Sequence, residues 1–251
     1  MAGDLPTIEP ATLHLEPEQN SQQGRLAFRP QPPVAHSARP GLRAFDDDGA
    51  PLGLVYAPPY ADNGPFRLVL LLHGAGGSAR QGIELMLPVA DEHRLLLVAP
   101  KSRLLTWDVI IDGYGADVRR IDRLLDEVTA AYPVDRFTAG GFSDGASYAV
   151  SLGLTNGDLL DSVVAFSPCF GAPLVQHGNP RLFISHGTKD TVLPIDRCSR
   201  RLVRRLTQSG YQVTYLEFDG PHTVPTEVVD RAATWLVDAP SRAQRADTAP
   251  V

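Results

Sequence analysis

Cysteine is nearly absent from this chain, two residues in 251, and that scarcity removes several chemistries at once. Two thiols cannot make the four-ligand cage of a structural zinc site, and neither has a histidine at ligand spacing, so no metal is expected. Cys169 and Cys198 are instead expected to be small, buried, reduced thiols. Cationic side chains are also in deficit. Lys and Arg number 23 against 29 Asp and Glu, a formal net charge of −6, whereas a nucleic-acid partner needs a basic face. No apolar run approaches the ~20 residues that span a bilayer. Residues 1–24 are polar and proline-bearing, without the apolar centre of a signal peptide, so the expected location is cytoplasmic, with no membrane span.

Arg197, Arg200, Arg201, Arg204 and Arg205 stand against the acidic balance. Interleaved with Leu202, Val203 and Leu206, they read as the solvated side of an amphipathic helix rather than as a basic patch.

Apolar residues are plentiful, 43% of the chain, enough for a sizeable core. Strands are expected at 25–28, 52–56, 66–72, 94–99, 135–140, 160–166, 181–185 and 211–218. Helices are expected at 79–92, 115–131, 144–154, 194–208 and 224–237. From residue 66 the alternation of buried strands with helices predicts an α/β fold, a mostly parallel central sheet with helices on both faces. One domain is expected at 24–238, between a mobile N-terminal segment at 1–23 and a flexible tail at 239–251.

The densest chemical signal is Gly141-Phe142-Ser143-Asp144-Gly145, which follows an apolar run and opens a helical pattern. A serine between two glycines at such a junction fits a tight strand-to-helix turn that pushes Oγ out above the sheet, and so resembles the nucleophile elbow of the α/β-hydrolases. Upstream, 66–72 ends in His73-Gly74-Ala75-Gly76-Gly77, a loop able to turn backbone N–H groups toward a developing oxyanion; Asp144, after the serine, would give the second donor. Downstream, Asp190 lies on the loop Ser185-His186-Gly187-Thr188-Lys189-Asp190, where a carboxylate can accept from a histidine Nδ1–H. Asp196 competes for that role from within a helical pattern. In the order nucleophile, acid, histidine, the base must follow the acid, and His222 is the one histidine after Asp190. His73 and His186 read as structural braces of their loops.

Together with Phe166-Ser167-Pro168 and Pro194, these motifs resemble the α/β-hydrolase superfamily over residues 52–237. Within it the chain is similar to the small bacterial phospholipase/carboxylesterase-like esterases, relatives of the dienelactone hydrolases and polyester depolymerases. The elbow reads Ser-Asp-Gly-Ala where the best known carboxylesterases of this group have Ser-Gln-Gly-Gly. The resemblance implies an α/β-hydrolase fold without a large cap domain and a carboxylic ester hydrolase with no cofactor, acting on a small-molecule ester. It implies Ser143 as nucleophile, His222 as base, Asp190 as acid, and the N–H groups of Ala75 and Asp144 as oxyanion donors. A thioesterase with the same triad, or a non-catalytic binding protein of this fold, is the alternative. The segment between the strands at 160–166 and 181–185 is too short for a helical cap, so an open cleft for short or solvent-accessible esters is expected. Its expected walls are Trp107, Phe142, Phe170, Leu174, Val192 and Leu193.

Overall fold

The strand Phe66–Leu72 (β3) is apolar at nearly every position because both its faces are buried. Leu68, Leu70 and Leu72 enter one hydrophobic core, and Val69 and Leu71 enter a second on the opposite face. A computed structural model of the protein describes residues 17–31, 39–47, 49–59 and 64–238. Around β3, the strands Gly41–Asp47 (β1), Ala50–Ala57 (β2), Leu95–Pro100 (β4), Val134–Phe142 (β5), Ser162–Phe166 (β6), Arg181–Gly187 (β7) and Val213–Phe218 (β8) form one sheet. Its order is β1-β2-β4-β3-β5-β6-β7-β8. β1 and β2 run antiparallel to their neighbours, and the strands from β4 to β8 are parallel to one another.

Helices cover both faces. Ala116–Ala131 (α5), Asp144–Thr155 (α6) and Ser199–Gln208 (α7) pack on the first core; Ala79–Glu84 (α2), Leu87–Ala90 (α3) and Thr226–Val237 (α8) pack on the second. In α5, Val118, Ile121, Leu124, Leu125 and Val128 supply the buried stripe at helical spacing. Two further short helices are Pro17–Gln22 (α1) and Asp108–Ile111 (α4). No helix among the described residues is long and apolar enough to cross a membrane.

The sheet's topology places the site. The connection from β3 crosses to β4 on one side, and the chain then returns across β3 to β5 on the other, so the loops after β3 and β5 diverge at a crevice along the carboxyl edge.

Several expected elements differ. Residues 25–28 are extended but pair with no strand: Leu26 N–H donates to Asn156 Oδ1, and the Ala27 and Phe28 N–H groups donate to the Asp122 carboxylate. Side chains there replace a sheet ladder. The half-exposed edge strand β1 was not anticipated, and α1 occupies part of the expected mobile segment. The helix expected at 79–92 is broken in two, with a proline in the first turn of α3, where the missing N–H costs no intrahelical bond. Residues 195–198 form turns ahead of α7. The expected mobile ends at 1–16 and 239–251 lie outside the described residues.

Candidate active site

β5 delivers Ser143 to the carboxyl edge with φ 58° and ψ −120°, a left-sided backbone that few non-glycine residues adopt. The two flanking glycines make that turn possible. A Cβ on Gly141 would stand 2.5 Å from Leu72 O, and one on Gly145 would stand 2.5 Å from His73 O and collide with Leu72 O. Ser143 N–H is tied to Phe166 O at 2.9 Å, and α6 begins at Asp144.

Three side chains meet above this turn. Ser143 Oγ lies 2.9 Å from His222 Nε2, and His222 Nδ1 lies 2.5 Å from Asp190 Oδ2. With the proton on Nδ1 donated to the carboxylate, Nε2 presents its lone pair to the serine hydroxyl. Asp190 is held in turn by the N–H groups of Val192 and Leu193, which donate to Oδ1 at 2.9 and 2.8 Å. Burial works against charge on this carboxyl, but the Leu193 N–H, the His222 ring and the Val192 N–H together hold it below its ordinary value. Asp196, the competing acid, is exposed and pairs with Arg200 at 2.8 Å.

The loop after β3 curls over the serine and is braced from behind. Gly76 N–H donates to Leu105 O at 2.6 Å, Gly77 N–H to Gly74 O at 3.0 Å, and Trp107 Nε1–H to His73 O at 2.8 Å. His73 accepts from Ser102 N–H at Nε2, so its proton sits on Nδ1, donated to Gly74 O at 2.8 Å. Burial lowers its pKa, which favours this neutral ring. Asp117 and Asp108 fasten the bracing segment. Asp117 accepts from the Arg103 and Asp108 N–H groups, and Asp108 accepts from Tyr148 OH. No hydrogen bond among the described residues engages the N–H of Ala75 or of Asp144, while the Asp144 carboxylate is held by Thr106 Oγ1–H at 2.7 Å.

This fold recurs in solved structures. The fold is that of the α/β-hydrolases. Esterase PE8 superposes with a TM-score of 0.61 at 24% identity, over 74% of this chain and 97% of that one. A fluorophosphonate-binding serine hydrolase F of Staphylococcus aureus gives 0.62 at 17% identity, over 80% of this chain and 100% of that one. In sequence, acyl-protein thioesterase 1 of Eremothecium gossypii is 27% identical over 146 residues, 54% of this chain; the match spans 62% of that relative's length. No family model matches the chain.

Within the hydrolase fold, the residues expected as pocket walls separate. Phe142 lies beside the site: its ring is 4.6 Å from that of His222, and with Gly74, Ala75, Gln81 and Leu85 it lines a cavity of about 160 Å³. Gln81 and Leu85 were not anticipated. Trp107 is no wall. It is fully buried, stacked on Tyr148 at 5.2 Å, and supports the loop after β3 from inside the core. Phe170 faces a separate groove against α7. Leu174 and Val192 are 65% and 64% exposed, and Val192 and Leu193 serve the site through their backbone. The expectation of two reduced thiols is overturned, since Cys169 and Cys198 form a disulfide. Their partnership joins a loop to the start of α7, 29 residues apart in sequence.

Proposed function

We propose that this chain, acting as one domain over residues 24–238, is a serine hydrolase that cleaves carboxylic esters of short acyl groups through an acyl-enzyme. The observation that carries the reading is the continuous relay from Ser143 Oγ through the His222 ring to Asp190. His222 Nε2 takes the hydroxyl proton as Oγ attacks the ester carbonyl, and Asp190 stabilises the imidazolium so formed. The Ala75 and Asp144 N–H groups, which have no other acceptor among the described residues, bind the oxyanion. His222 returns its proton to the leaving alkoxide; water then adds to the acyl-enzyme by the same route, releasing acid and serine.

The size of the cavity supports a short acyl group. About 160 Å³ is well below the roughly 300–1,000 Å³ that encloses a drug-sized ligand. Residues 167–180, between β6 and β7, carry no helix, so no helical cap roofs a longer chain there. The sequence match to an acyl-protein thioesterase favours thioester cleavage as a second reading, since thioesters pass through the same oxyanion. Both are tested on one preparation. A fluorophosphonate probe should label the wild type and not Ser143→Ala, and p-nitrophenyl esters from acetate to palmitate should peak at short chains. A preference for palmitate would overturn the short-acyl reading, and a butyryl thioester turned over well ahead of p-nitrophenyl butyrate would favour the second.

The cytoplasmic location expected from the sequence rested on the polar composition of residues 1–24. The disulfide between Cys169 and Cys198 suits an oxidising compartment instead.

A further inference from the structure

Of the five arginines between 197 and 205, Arg204 is exposed and lies outside the groove beside α7, and the other four divide into two sets. Arg200 turns toward β8 and pairs with Glu217 and Asp196. Arg197, Arg201 and Arg205 instead line a groove of about 560 Å³, the last two one helical turn apart on α7. Among the described residues, none of these three has a carboxylate partner, and no Asp or Glu lines the groove. In a chain of net charge −6, three unpaired guanidinium groups beside one cavity are not a product of composition.

The opposite wall is the loop after β6, bearing Phe170 and Pro173, and the floor is apolar, made by Leu154, Leu202 and Leu206. The two walls are joined covalently, since Cys169 belongs to the loop and Cys198 to the start of α7. Tyr211 OH also reaches Gln176 Oε1 across the gap at 3.3 Å. A cleft whose width is fixed before binding loses little freedom when a ligand enters.

We propose that this groove is a binding site for a phosphate monoester with an apolar organic group, distinct from the esterase site. The planar forks of the arginines match phosphate oxygens in pairs, and their combined charge suits a dianion. The apolar floor takes the organic part. The volume falls within the roughly 300–1,000 Å³ of small-molecule sites, so the occupant is one free molecule rather than a lipid held in a bilayer.

Titration calorimetry on the full chain tests this with octyl phosphate below its micellar concentration, octyl glucoside as the neutral counterpart, and phosphatidylglycerol vesicles. Saturable one-to-one binding of octyl phosphate is expected, weakened by salt, with octyl glucoside bound at least about tenfold less tightly. Arg201→Gln with Arg205→Gln should weaken octyl phosphate by about tenfold or more, while Arg204→Gln, outside the groove, should leave it unchanged. These side chains are exposed, so the variants should melt as the wild type does. Absence of saturation, equal affinity for octyl glucoside, indifference to the double substitution, or adsorption to vesicles without binding of the monomer would each overturn the proposal.

Discussion

His186 Nε2 lies 3.1 Å from Asp190 Oδ2 and 2.8 Å from Leu193 O, and neither side chain of the His186–Asp190 pair has exposed surface. Both neighbours of Nε2 are acceptors, so that nitrogen carries the ring's proton; Nδ1 is buried without a partner. Burial lowers the His186 pKa and keeps the ring neutral. Oδ2 of Asp190 thus faces two imidazoles, that of His222 and that of His186. The second fixes the carboxylate that orients the first.

His186→Phe keeps a ring in place and removes the donor. A hydrogen bond to a charged group is worth about 1.5 kcal/mol or more, so kcat should fall about tenfold with KM nearly unchanged. Steady-state kinetics on p-nitrophenyl acetate, with a thermal melt to confirm folding, measure it; an unaltered kcat would assign His186 to loop packing alone.

Asp190→Asn should cost about 10⁴ in kcat, because an amide stabilises the wrong tautomer of the histidine. Asp196→Asn should leave kcat within about twofold, since Asp196 pairs at the surface with Arg200. The reverse ranking would move the acid to Asp196.

Gly145→Ala tests the packing behind the elbow. The added Cβ meets two backbone carbonyls that cannot rotate aside, those of Leu72 and His73. The expected loss is at least about 2 kcal/mol, a drop in Tm of roughly 4–8 °C at this chain length. A variant melting with the wild type would show that the turn yields more than this geometry allows.

Acid should loosen the N-terminal segment. Arg25 forks onto Asp158 with contacts of 2.7 and 2.8 Å, and this hydrogen bonding is the largest cause of a carboxyl pKa lowered to about 2. A folded pKa below the unfolded value of about 3.9 means that the stabilisation is complete above that pH and drains away as pH falls toward about 2. The Asp158 side chain is 41% exposed, which screens the pair and limits it to about 1 kcal/mol. Wild type should therefore exceed Asp158→Asn in denaturation midpoint at pH 6, with the gap shrinking by about pH 3. A gap independent of pH would remove the carboxylate's charge from the explanation.

Much of this molecule was legible in its sequence because the relevant constraints are local. Burial on both faces forces continuous apolar runs, so β3 and β4 could be read from composition alone. A serine held at positive φ between two close-approaching backbones needs small neighbours, and Gly141 and Gly145 record that need in adjacent letters. Its place on the loop after a strand nominated Asp190, and chain order then nominated His222.

Tertiary structure decided whatever depends on residues distant in the chain. Residues 25–28 read as a strand, but Asn156 and Asp122 claim the N–H groups of Leu26, Ala27 and Phe28 from other elements. An aromatic after a strand has the same pattern whether it lines a pocket or supports a loop, and only packing on Tyr148 and His73 put Trp107 inside. Two cysteines 29 residues apart, each just after a strand, read as reduced thiols that could be neighbours, and only the fold sets their backbones side by side. His186 reads as a brace, and it reaches Asp190 only because the loop doubles back to place both side chains in one dry space. Periodicity and steric need are written into neighbouring residues, whereas the partner of a hydrogen bond, a thiol or a ring is chosen by a chain path that no single segment encodes.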